Sequence, residues 1–227
     1  PAAHIATINE LTAQTTHTYG DMPTPVDDTD LRIYYQNVRG IRTGGNNDKM
    51  DTICATMAKL GTGIFGLTET NIDWKREWTK SAFRNSLHKA SRIPGYDSWR
   101  HNRSEVSTSA IPAHTSEQHG GTSTTVTSRW TSRVCDSGRD EKLGRWSWLT
   151  LNGKDNKLTI ITAYRVCQEP NVKWGEETAI AQQMTLMNSP ANRDPNPRQQ
   201  ILDDLKHFIK KKQNAGHAIV LLMDGNE

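Results

Sequence analysis

The order of apolar runs along this chain predicts an α/β protein, with two mixed β-sheets packed together and helices outside. Three observations carry that expectation. Short dense apolar runs, such as residues 31–35, 158–161 and 218–223, recur between polar loops. Segments of helical periodicity separate several of these runs. Elsewhere two strands follow each other through Asn152-Gly153-Lys154-Asp155-Asn156, a turn-forming cluster typical of a hairpin. Hydrophobic residues make up only 34% of the 227, and their clustering argues for a core with generous polar loops rather than for disorder.

Residues 1–30 are rich in Thr, carry Pro23, Pro25, Asp27, Asp28 and Asp30, and show no periodicity. They read as a linker or disordered lead-in, which leaves residues 31–227 as the folded domain. Residues 31–38 read as a buried strand, after which Arg39-Gly40 opens a loop containing Gly44-Gly45. Met50, Ile53, Cys54, Met57 and Leu60 then recur at helical spacing until Gly61 stops the helix. A strand at 64–67 runs into Thr68-Glu69-Thr70. A basic amphipathic helix follows to about Ala90, with Arg76, Lys80 and Arg84 stacked four apart on one face and Trp78 turned to the core.

Residues 104–119, rich in Ser, Thr and His, read as a long exposed loop with His114 and His119 in solvent. Strands are expected at 122–126, 146–151 and 157–164, and a helix at 176–187. Pro190, Pro195 and Pro197 precede a helix at 198–212 whose apolar face is Ile201, Leu202, Leu205, Phe208 and Ile209. A buried strand at 218–223 ends in Asp224-Gly225-Asn226.

Net charge is +3, yet eight Lys/Arg stand against three acidic residues between Asn71 and Arg103. Such a local basic stretch suits a polyanion. No apolar run approaches the roughly 20 residues needed to cross a bilayer. Three cysteines without C-x-x-C spacing form neither a disulfide framework nor a zinc cluster, and suit a reducing compartment. The histidines supply no H-E-x-x-H, and no Ser sits in a G-x-S-x-G elbow. Gly61-Thr62-Gly63-Ile64-Phe65-Gly66 matches the dinucleotide fingerprint, but it follows a helix and enters a strand. That order is the reverse of what places a helix N-terminus on pyrophosphate.

What recurs instead is a polar residue at the end of each apolar strand: Asn37, Glu69, Tyr164, and Asp224 with Asn226. Strand ends in a rigid sheet can hold side chains fixed while they point into a cleft. A carboxylate such as Glu69 suits Mg²⁺, which prefers oxygen and keeps several waters while bridging to phosphate; oxygen ligands suit Mn²⁺ as well. An Asp beside an Asn suits the orientation and deprotonation of a water for attack on phosphorus.

Taken in order, Tyr34-Tyr35-Gln36-Asn37-Val38-Arg39-Gly40, Gly66-Leu67-Thr68-Glu69-Thr70-Asn71, Gly120-Gly121-Thr122, Ile161-Thr162-Ala163-Tyr164 and Leu222-Met223-Asp224-Gly225-Asn226 resemble the successive signatures of the endonuclease/exonuclease/phosphatase superfamily. That superfamily includes DNase I, apurinic endonucleases and the endonucleases of non-LTR retrotransposons. The resemblance implies a four-layer α-β-β-α sandwich, incomplete at its C-terminal end, and Mg²⁺-dependent phosphodiester hydrolysis. It implies that Glu69 holds the metal with Asn37, that Tyr164 contacts the phosphate or a catalytic carboxylate, and that Asp224 activates water while Asn226 places the scissile phosphate. Arg39 stands where many members carry Asp, a mark of retroelement-like members. Cys167 stands where apurinic endonucleases often have Asn, and Met223 replaces a usual Gly.

The expected substrate is DNA, positioned by Arg39, Arg76, Lys80 and Arg84, with Trp74, Trp78, Tyr96 and Trp99 interleaved in the basic stretch. No obligate protein partner is expected. A reverse transcriptase would follow in the full polypeptide, and the location would be intracellular and nuclear. Family members finish with a Ser-Asp-His motif beyond the last strand present here, so the 227-residue chain alone is expected to be inactive. A phosphoinositide or sphingomyelin phosphoesterase, and a decayed non-catalytic domain, are the alternatives.

Overall fold

Strands form where β-branched and aromatic residues alternate between two apolar surroundings, and helices where apolar residues return every third or fourth position. The computed structural model describes residues 30–41, 48–113, 115–167 and 177–226. The lead-in expected at 1–30 (save Asp30), the Gly44-Gly45 loop, His114 and the first residue of the helix expected at 176–187 lie outside the described residues.

The described elements are β1 (Ile33–Asn37), α1 (Asp48–Lys59), β2 (Ile64–Thr68), α2 (Glu77–Ala90), β3 (Asn102–Ser107), β4 (Thr122–Thr127), β5 (Val134–Arg139), β6 (Trp146–Asn152), β7 (Lys157–Tyr164), α3 (Ala179–Met187), α4 (Pro197–Asn214) and β8 (His217–Asp224). They build two four-stranded sheets, ordered β1-β2-β4-β3 and β5-β6-β7-β8. Each sheet is mixed. β1 lies parallel to β2 and β7 parallel to β8, while the other pairs are antiparallel. Both parallel pairs are joined through helices, as a parallel connection requires.

Three apolar clusters show the layering. Phe65 and Leu67 of β2 pack with Met50, Cys54 and Met57 of α1 and Phe83 and Leu87 of α2. Ile64, Val126, Leu149 and Ile160 fill the space between the sheets. Trp146, Ile161 and Ala163 pack under Ile201 and Leu205 of α4. Successive strand residues point to opposite faces, so β2 feeds the first cluster with Phe65 and Leu67 and the second with Ile64. The result is the four-layer α-β-β-α sandwich. Helix α4 begins where expected because the Asn196 side chain caps Gln199 N–H at 3.1 Å and Pro197 occupies the first turn.

At one end the sheets meet through hydroxyls rather than hydrocarbon. Thr124 Oγ1 lies 2.8 Å from Thr162 Oγ1 and 3.0 Å from the Ser147 carbonyl, and Thr122 donates to Ser147 Oγ at 3.1 Å. Short side chains let the backbones approach. A Cβ on Gly66 would stand 2.5 Å from Thr162 Oγ1 and 2.9 Å from Leu222 Cδ1.

Several elements differ from the sequence expectation. Residues 104–107, taken for the start of an exposed loop, belong to β3, whose Val106 and Ser107 are buried. Strand β5 has polar alternation and gave no apolar run. The strands at 31–38 and 218–223 are half-buried rather than buried, because β1 and β8 are the edges of their sheets; Leu221 is 40% exposed. Trp78 points outward and is 45% exposed, whereas Trp74 and Trp99 are buried in the first cluster. The glycine-rich match does follow α1 and enter β2.

Candidate active site

The two parallel pairs carry polar residues to one end of the sandwich. In register, Asn37 ends β1 opposite Thr68, the residue before Glu69, and Tyr164 ends β7 opposite Asp224 of β8. One sheet thus supplies Asn37 and Glu69, the other Tyr164 and Asp224.

The sheets are joined at this point. Asn37 Nδ2 donates to Asp224 Oδ2 at 2.5 Å, and Asn37 Oδ1 accepts from Arg39 N–H at 2.9 Å. Asp224 Oδ1 accepts from Asn226 N–H at 3.2 Å. Both oxygens of Asp224 are therefore oriented, one by each sheet. The turn after β8 is held in its own right: Asn226 Nδ2 donates to the Arg165 carbonyl at 2.5 Å, and Arg198 donates to the Asn226 carbonyl at 2.8 Å.

Tyr35, whose hydroxyl is 2.9 Å from Thr68 Oγ1, stands within electrostatic reach of both Glu69 and Asp224. Burial pushes the Tyr35 phenol above its ordinary pKa, and the charges of Asp224 and Glu69 add to that, against the hydrogen bond with Thr68. Tyr164 meets Glu69 on the other flank. Burial first, then the Glu69 carboxylate and the Cys167 thiol, hold the Tyr164 phenol far above the usual range, so it stays a protonated donor. Its hydroxyl is 3.9 Å from Cys167 Sγ, which in turn lies 3.4 Å from Asn226 Oδ1.

Arg39 (φ 45°), Glu69 (φ 50°), Asn71 (φ 53°) and Asn226 (φ 44°) all adopt the left-handed region. Each non-glycine residue held there costs about 1–2 kcal/mol. The surroundings enforce it: Gly40 N–H donates to the Glu69 carbonyl at 2.6 Å, and Asn71 N–H to the Gly120 carbonyl at 2.8 Å. Glu69 directly follows β2, which ends at Thr68, and its left-handed backbone breaks the extended run there.

A cavity of about 260 Å³ opens on the Tyr164 side of Glu69, lined also by Asn71, His119, Gly120, Cys167 and Ala179. Among the described residues no three His, Cys, Asp or Glu side chains stand together to cage a metal. Mg²⁺ needs only one or two carboxylates, with waters and substrate oxygens completing its shell. The half-buried Glu69 carboxylate at the cavity wall fits that requirement.

The sequence-predicted residues Asn37, Glu69, Tyr164, Asp224 and Asn226 come together here, and the exposed Arg39 hangs at the edge of the cluster. The basic residues do not form the stack expected of them. Arg76 precedes α2 instead of lying on it, and binds Asp73 Oδ2 at 3.1 Å and the Ala113 carbonyl at 2.8 Å. Lys80 and Arg84 both reach Glu77, at 3.5 and 3.3 Å, and with Arg103 rim a separate cavity floored by Trp74, Phe83 and Leu87. Tyr35, Asn71 and Arg198 were not singled out from sequence. Tyr35 was within reach, since it shares the face of Asn37 two positions on; Arg198 carries no local signal.

No family model matches the chain, and no curated protein matches it. Solved structures of similar shape do. An endonuclease/exonuclease/phosphatase family protein from Leptotrichia buccalis aligns at TM-score 0.43 and 14% identity, covering 74% of this chain and 64% of that one. The 3′ phosphatase NExo from Neisseria, bound to product DNA hairpin, aligns at 0.46 and 14%, covering 87% and 58%. TDP2 of D. rerio, complexed with single-stranded DNA product, aligns at 0.48 and 16%, covering 88% and 62%. The chain thus spans about three fifths of the length of these solved chains.

Proposed function

We propose that this cleft hydrolyses phosphodiester bonds in DNA with Mg²⁺, and that the chain is an endonuclease domain of the endonuclease/exonuclease/phosphatase superfamily, of the kind found in retroelement polyproteins. One observation supports the reading above the others: Asn37 of one sheet fixes Asp224 of the other, with Glu69 beside them and Tyr164 on the far flank.

Asp224 is oriented by donors on both oxygens, so its remaining lone pairs are aimed. That suits it to take a proton from a water as the water oxygen bonds to phosphorus and the ester oxygen opposite departs in line. Asn37 is already engaged at both ends of its amide, which favours a positioning role toward Asp224 over a primary place in a metal shell. Glu69 is the carboxylate that would hold a divalent cation, which would offset the charge growing on the phosphate oxygens. Tyr164, kept neutral by burial, donates toward Glu69 and sets its direction. Arg39 is exposed beside Asn37 and can bind a flanking phosphate.

The test is Mg²⁺-dependent nicking of supercoiled plasmid by the full-length polypeptide, compared with Glu69→Gln and Asp224→Asn. Each substitution should lower the rate by on the order of 10²-fold or more. Nicking that survives both unchanged would refute the assignment. Faster turnover of inositol phosphates than of plasmid would reassign the substrate while keeping the site.

A further inference from the structure

The cavity beside Glu69 contains two titratable side chains that the proposed chemistry leaves unused, Cys167, whose thiol lies against Tyr164 and Asn226, and His119. His119 is exposed and lines the wall together with Glu69, Asn71 and Tyr164. Among the described residues its ring makes no hydrogen bond, ion pair or ring contact.

Its backbone is anything but free. Gln118 N–H donates to the Asn71 carbonyl at 3.2 Å, Asn71 N–H to the Gly120 carbonyl at 2.8 Å, and Gly120 N–H to Asn71 Oδ1 at 2.8 Å. Ile72 bridges Glu117, and Gln118 Nε2 donates to Gln182 Oε1 of α3. Gly120 and Gly121 take φ of 85° and 80°, which turns the chain sharply into β4. Gln118 and Gly120 on either side are buried. A residue clamped on both sides, yet with its side chain unpartnered in a cavity shared with a catalytic carboxylate, is preorganised to meet a ligand.

The position narrows the ligand. The cavity lining includes neither Asn37 nor Asp224, and it reaches their end of the sheets through Tyr164, paired in register with Asp224, and Cys167, 3.4 Å from Asn226 Oδ1. A strand cleaved at Asp224 has to continue past Glu69 along one flank or the other. The remaining lining on this side is Val166, Cys167, Thr178, Ala179 and Ile180; the Thr178 hydroxyl caps α3 by accepting from Ala181 N–H at 3.3 Å, so His119 is the exposed polar side chain turned to a ligand.

Resting on the hydrolytic reading above, we infer that His119 is a substrate-contacting residue, its imidazole N–H donating to a phosphate oxygen of the nucleic-acid strand on the Tyr164 flank. The experiment follows ring-labelled histidines and backbone amides by NMR while a 5′-phosphorylated thymidine dinucleotide is added without divalent metal. His119 is assigned by its loss in His119→Gln. The expected result is a saturable shift of the His119 ring signal together with the Gly120 and Asn71 amides, and about tenfold weaker binding in His119→Gln. Shifts at Gly120 and Asn71 with a silent His119 ring, or shifts confined to Asn37 and Asp224, would overturn the inference and leave the hydrolytic site standing. A cleft silent throughout would also overturn the inference, while the hydrolytic reading stands or falls with Mg²⁺-dependent nicking.

Discussion

Asn37 and Asp224, 187 positions apart in sequence, share a hydrogen bond of 2.5 Å that ties the ends of two edge strands from different sheets. Replacing Asn37 by Ala removes the donor and frees one oxygen of Asp224 to rotate. Hydrolysis by the full-length polypeptide should fall by on the order of 10²-fold, with little change in KM. Steady-state nicking kinetics check this, and a change confined to KM would place Asn37 in binding instead.

Gly66 controls how closely the sheets approach. A Cβ there meets Thr162 Oγ1 at 2.5 Å and Leu222 Cδ1 at 2.9 Å, and neither neighbour is the tip of a long flexible chain. Gly66→Ala should cost about 1–3 kcal/mol through overpacking and read as a lower Tm. Because the strain falls two positions before Thr68, on the strand that leads into Glu69, activity should drop with it.

Burial pushes the Cys54 thiol up to about 12, aided by Asp51. A folded-state pKa raised above the ordinary thiol value of 9.0 means that the protonated thiol stabilises the fold fully below pH 9 and that this contribution is lost as pH rises toward 12. Cys54→Ala should therefore flatten the fall of stability between those limits. Independently, an alkylating reagent at pH 8 should modify the exposed Cys135 and Cys167 on the folded chain and reach Cys54 only in denaturant. Mass spectrometry counts the adducts, and rapid labelling of Cys54 would contradict the burial.

Arg39 carries a left-handed backbone (φ 45°) that glycine adopts freely. Arg39→Gly relieves about 1–2 kcal/mol of local cost and adds roughly 0.5–1 kcal/mol of unfolded-state entropy, so thermal stability should be nearly unchanged. DNA affinity should weaken, and the slope of log K against log salt should lose about one unit. A large loss of Tm would show that the side chain is structural.

The gathering of the candidate residues at one end of the sheets was legible because each is a polar residue closing an apolar run, and a strand end fixes direction as well as place. Asn37, Glu69, Tyr164 and Asp224 share that signature. β3 was not legible, since its face toward β4 is built from Asn102, Ser104 and neighbouring hydroxyls that pack by hydrogen bonding, as Ser104 does with Thr125 at 2.9 Å. Burial at the edges was misjudged for a related reason: Leu221 and the apolar residues of β1 read as core, but strand order decides which apolar strand has a neighbour on both sides. Trp74 and Trp99 looked available to bases and are core, while Trp78 looked internal and faces out. The buried face of α2 runs through Thr79, Phe83, Ser86, Leu87 and Ala90, and position 78 falls outside it.

The basic stretch separates into two jobs that a binding experiment can tell apart. Arg76 holds the Ala113 carbonyl and the nearly buried Asp73, so Arg76→Ala leaves that carboxylate without its guanidinium partner. It should lower stability by roughly 1–3 kcal/mol, with DNA binding changed only through the fold. Among the described residues Lys80 and Arg84 pair only with the exposed Glu77, contacts worth about 0–1 kcal/mol. Their double replacement by Ala should leave Tm within a degree or two, while the salt slope of DNA binding falls by about two units. A double variant that binds DNA with an unaltered slope would move the duplex off α2 altogether and leave Arg39 as the basic contact at the cleft.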